Sequence, residues 1–198
     1  MATTPKTLSN LQSIRLAWDI FGGLKGVVRS KDFWCSVLLT VACLHLWTTD
    51  RWYDTALSVL PNLLGFTLGG FAIFLGFGSD GFREMIAGED ERESPYMSVS
   101  AAFVVFILVQ LVATLYALLC KALDFPAPAT LQALAPYLHA AQPAAFGVGF
   151  LLFVYSLMLT LRAAMRIFRL SRWFNYWTVL QADGRAAIEE EGESRREA

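Results

Sequence analysis

Met97–Cys120 reads MSVSAAFVVFILVQLVATLYALLC, without one Asp, Glu, Lys or Arg. A bilayer's hydrocarbon core, about 30 Å thick, takes about 20 apolar residues of helix, and this stretch has that length. It is also apolar on every side, unlike the one-sided stripe of a helix on a soluble core. Working outward, Thr55–Ser79 precedes it and Pro143–Leu161 follows it, both free of charged residues, and Phe33–Thr49 makes a fourth such run. Over the 198 residues only 17% are charged, against about a quarter in soluble domains. The expected fold is all-α: an integral membrane four-helix bundle with spans at about 33–49, 57–79, 96–120 and 143–163, inside a transmembrane domain covering 32–164. Segment 1–31 precedes it. A basic, aromatic juxtamembrane helix is expected over 165–182, and the charged, aromatic-free tail 183–198 is expected to be disordered.

Charge sets the orientation. Of the 16 Lys and Arg, only Arg51 and Lys121 fall on one side of these spans. Cytoplasmic segments carry the Lys/Arg excess, and acidic residues count little. Both termini and the 80–96 loop are therefore expected in the cytoplasm, with 50–54 and 121–142 outside. The first apolar run begins only after residue 31 and ends without a small-residue cleavage site, so no cleaved leader is expected. High Ala and Arg usage with little Lys fits a bacterial inner membrane.

The flanks are amphipathic. Leu11, Ile14, Trp18 and Phe21 recur on one helical face over 8–29. Arg15, Lys25 and Arg29 would meet anionic headgroups if that helix lay in the interface; packing on the bundle is the alternative. Gly22-Gly23 would bend or end it. After the last span, Arg162, Arg166, Arg169 and Arg172 alternate with Phe168, Trp173, Phe174, Tyr176 and Trp177. That pattern suits lipid headgroups, with Arg166, Arg169 and Arg172 as contacts. Leu131, Leu134 and Leu138 suggest a short helix on the outer surface.

The second span carries the most specific signal. Ser58, Asn62, Gly65, Gly69, Ala72 and Gly76 advance by four and three, so one face stays small or polar from end to end. Gly65 and Gly69 form GxxxG, which lets helix backbones approach closely in lipid. The face reads as a close-packed seam within or between subunits, or alternatively as a pore lining. Ala145, Gly149, Ser156, Thr160 and Ala163 give the fourth span a small face of its own. Gln110, mid-span, needs a polar partner across a helix interface.

Signals for chemistry are sparse. Gly76–Gly81 matches GxGxxG in letters only, since it follows a membrane helix and no βαβ unit. Cys35, Cys43 and Cys120 have neither disulfide nor zinc spacing. No cofactor or metal is expected, and a net charge of −1 gives no attraction to nucleic acid. The absence of mid-span ionisable residues disfavours coupled transport. The expected function is a homo-oligomeric membrane scaffold, not an enzyme, that contacts lipids and docks a cytoplasmic protein partner in a sensing, stress-response or defence complex. A small channel subunit is the alternative. An outer-surface metal or acid-base enzyme using His45 and His139 is the outlier.

Overall fold

The computed structural model describes residues 9–49, 51–76, 94–124 and 135–197, and within the last of these the side chains of 142–184. Every element among them is a helix: α1 Asn10–Phe21, α2 Gly23–Arg29, α3 Lys31–Ala42, α4 Leu44–Thr49, α5 Trp52–Gly76, α6 Pro95–Leu123 and α7 Ala135–Glu197. Three stretches, Trp52–Gly76, Pro95–Leu123 and Gln142–Gly184, are long and apolar enough to cross a membrane. They pack on one another in all three pairings. Apolar side chains also cover the outside, including Leu111, Leu115 and Leu118 on α6. Extended exposed apolar surface of this kind, on helices of membrane-spanning length, suggests a membrane location.

The stretch expected to form the first span, 33–49, is divided at Cys43 into α3 and α4. Ser36 Oγ donates to the Asp32 carbonyl (2.7 Å) and Thr40 Oγ1 to the Ser36 carbonyl (2.8 Å). Such back-bonding four residues along competes with the helical ladder and bends helices. Beyond the break, the Trp47 indole N–H reaches back to the Thr40 carbonyl (2.9 Å). The pair still runs the length of its neighbour. Asp32 at its start meets Arg162 of α7, and Trp47 near its end packs 3.2 Å from where a Gly147 Cβ would stand.

α1 starts at a capping box, with Ser9 Oγ accepting from the Gln12 N–H and Gln12 Oε1 from the Ser9 N–H. It ends where Gly22 and Gly23 take positive φ (103° and 59°), a conformation only glycine adopts without strain. α1 lies on α6, burying Ala17 and setting Phe21 edge-on to Phe106 at 5.9 Å. Leu11 stays outward, 80% exposed.

α7 is one helix of 63 residues. It starts before Pro143, inside the expected outer loop, and runs to Glu197, through the segment expected to be disordered. The reason lies in composition: Ala186, Ala187 and the Glu and Arg residues that follow are strong helix formers. Leu131, Leu134, the 80–93 loop and the end of the second span past Gly76 lie outside the described residues.

The core has two aromatic layers. Trp52, Tyr53, Phe150 and Phe153 fill one end with Ala56, Ala113 and Ala117, while Phe103, Phe106 and Tyr155 fill the other with Leu159 and Ala163. Phe74, Tyr96 and Leu170 extend the second layer, with Phe74 stacked on Tyr96 at 5.0 Å.

Candidate functional site

α5 has two opposed stripes. Ala56, Leu60, Thr67, Gly70 and Phe74 are buried against α6 and α7. Ser58, Asn62, Gly65, Gly69, Ala72 and Gly76 lie about 200° around the helix, two residues further on, and all are exposed. A Cβ built on Gly65, Gly69 or Gly76 meets nothing within 4 Å. The polar members turn onto their own helix: Ser58 Oγ donates to the Thr55 carbonyl (2.8 Å) and Asn62 Nδ2 to the Ser58 carbonyl (2.9 Å). Among the described residues, no helix of the protomer packs on the small face at Gly65, Gly69 or Gly76. The small face of α7 is the reverse case, with Gly149, Ser156 and Ala163 buried.

Between the aromatic layers sits Gln110, fully buried. Its Nε2 donates to Thr67 Oγ1 of α5 (3.0 Å) and Thr160 Oγ1 of α7 (2.8 Å). Both threonine hydroxyls spend their own hydrogens on backbone carbonyls, Leu63 and Ser156. They can only accept from the glutamine, which fixes which way its amide points. One side chain thus ties three helices together at mid-depth. Its Oε1 is buried without a partner among the described residues.

One end of the bundle is fastened by charge. Tyr53 donates to the Asp124 carboxylate, as does Arg51 at 3.3 Å, and Lys121 pairs with Asp54 at 2.8 Å. The Tyr53 hydrogen bond, ahead of those from Arg51, holds the Asp124 carboxyl below its usual range. A carboxyl whose folded pKa is depressed stabilises the fold above its ordinary pKa, and loses that contribution as pH falls through the folded value. From pH 7 to pH 3 the thermal midpoint of the native protein should fall more than that of Asp124→Asn. Parallel curves from thermal scans in detergent would reject the clamp.

Among the described residues the opposite end is cationic. Arg162 pairs with Asp32 and donates to Ser30 Oγ (2.9 Å), joining α7 to the start of α3. Sequence reading missed this pair, and the Tyr53–Asp124 contact with it. The one signal was that Asp32 and Arg162 flank spans at the same end. Arg166 Nη1 donates to the Ser98 carbonyl of α6 (3.2 Å), and its guanidinium lies 6.0 Å from the centre of the Phe106 ring. Its Nε is buried without a partner among the described residues. Arg169, Arg172, Arg15, Lys25 and Arg29 are exposed. Arg166 and Arg169 share a cleft with the first turns of α6, whereas Arg15, Lys25 and Arg29 lie on α1 and α2.

His45 is exposed on α4, and the His139 side chain lies outside the described residues. Among the described residues no three His, Cys, Asp or Glu side chains gather as metal ligands. No protein-family profile, curated relative or solved structure matches this chain.

Proposed function

We propose that the chain crosses the membrane four times with both termini in the cytoplasm, and that it self-associates along the small face of α5 as a homo-oligomeric scaffold. The carrying observation is that face itself: six small or polar residues in register, exposed, with open space over Gly65, Gly69 and Gly76. In lipid, small faces of this kind serve close packing of helix backbones. The fourth crossing is α3 with α4. Lys31–Thr49 would rise about 28 Å, close to the thickness of the hydrocarbon core. The Lys/Arg distribution supports the orientation. The scaffold reading gives the cytoplasmic 80–96 loop and the α7 extension the task of docking a soluble protein. Removing 178–198, beyond the last residues of α7 packed on the core, should leave the oligomer intact and abolish any specific partner in pull-downs from the native host. A partner still captured by the truncated chain would count against that assignment.

The second reading is a pore lined by the same face, and one experiment separates the two. Cys35, Cys43 and Cys120 are replaced by alanine, and Ala72→Cys is introduced. If two α5 faces pack together, mild oxidation links chains in pairs, since a disulfide needs Cα atoms within about 7 Å. If the face lines a pore, the thiol reacts with a water-soluble reagent and does not cross-link. A thiol that does neither faces lipid, and both readings fail.

A further inference from the structure

We propose that the cleft between the first turns of α6 and the cationic stretch of α7 is a binding site for the phosphate of an anionic phospholipid. This deepens the membrane reading but does not depend on self-association. The cleft encloses about 370 Å³ and is lined by Pro95, Ser98, Arg166, Arg169 and Trp173, among others. That volume is within the usual range for small-molecule sites, about 300–1,000 Å³.

Its charge is unbalanced. Among the described residues no acidic side chain lines it, and the nearby Asp32 is already engaged by Arg162. Arg166 is held from one side by the Ser98 carbonyl and the Phe106 ring, leaving its buried Nε unpartnered among the described residues. Arg169 stands on the next turn. Two guanidinium groups in one cleft repel each other unless an anion lies between them, and their planar forks match phosphate oxygens. The start of a 29-residue helix adds positive partial charge at the same mouth.

The surroundings favour a lipid over free phosphate. Leu161 and Met165 lie on the α7 face that carries Arg169, and they are 55% and 52% exposed. A phosphate at Arg169 would lay its acyl chain along them. Trp173, 47% exposed, presents the amphipathic ring typical of the headgroup level.

The test uses the full chain in nanodiscs of phosphatidylcholine containing a minor share of phosphatidylglycerol, with retained lipids counted by native mass spectrometry. Phosphatidylglycerol should be retained in preference. Arg166→Gln/Arg169→Gln should weaken that retention at least about tenfold, as two lost phosphate contacts imply. Arg172→Gln, outside the cleft, should stay near the native value. Equal retention by the double variant, or an equal loss in Arg172→Gln, overturns the site in favour of diffuse surface charge. Loss of the preference to excess inorganic phosphate at matched ionic strength overturns the lipid as occupant. If the double variant unfolds, Arg169→Gln alone carries the test, because that side chain is exposed. The same spectra give the chain's oligomeric mass, so failure of the scaffold and failure of this site are read separately.

Discussion

Gly149→Ala is expected to destabilise the protein by about 3 kcal/mol, at the upper end for an overpacked core. A Cβ at Gly149 would stand 2.6 Å from Trp52 Cζ2 and 2.7 Å from Tyr116 Cε1, closer than real Cβ contacts come. Neither ring is free to yield. Trp52 is 4% exposed and wedged edge-on against Phe146 and Phe150, with centroids 6.2 and 6.1 Å away. The Tyr116 hydroxyl is tied to the Ala145 carbonyl at 3.0 Å. Added volume must therefore push α7 away from α5 and α6 together. The change should appear in denaturant titration of the detergent-solubilised protein, followed by far-UV circular dichroism. A variant as stable as the native chain would mean that the helices meet less closely at this level.

Gly69→Leu should do the opposite. Nothing within 4 Å of its Cβ position obstructs a larger side chain, so the protomer should keep its fold. Leucine even gains helix propensity over glycine, by up to about 1 kcal/mol. Only contacts beyond the protomer can suffer. If α5 faces pack backbone to backbone, a leucine holds them apart, and self-association should weaken at least about a hundredfold, a loss of about 2.7 kcal/mol. Sedimentation equilibrium in density-matched detergent reads this directly. An unchanged oligomer would place the subunit contact elsewhere, and a protomer that unfolds would show α5 to be less open than its surroundings suggest.

These two glycines show where sequence reading stops. Both belong to small faces with helical spacing, on α5 and on α7, and the letters alone do not tell them apart. The use of each face depends on which bulky rings the tertiary fold brings opposite, and Trp52 is far from Gly149 in sequence. Three long membrane helices were legible because charge-free length is a one-dimensional property. The break at Cys43 was not, since no glycine or proline marks it and back-bonded hydroxyls like those of Ser36 and Thr40 also sit in unbroken helices. Gln110 announced a need for partners without naming them, because Thr67 and Thr160 lie on two other helices. The cleft of Arg166 and Arg169 was visible only as a basic, aromatic stretch. Its depth comes from the first turns of α6, supplied by a distant part of the chain.

The unbroken course of α7 has a mechanical consequence. Beyond Trp177, which packs with Leu170 on the core, α7 continues to Glu197 for about 30 Å, at 1.5 Å per residue. Its root is gripped on several sides: by Asp32 through Arg162, by Ser98 through Arg166, and by the rings around Leu159 and Ala163. A rod held at one end turns angle into distance. A change of about 10° at the gripped end would carry the far end roughly 5 Å sideways, for a helix rising 1.5 Å per residue. Rearrangements too small to see among the packed side chains would be read out at the tip as a lever's swing.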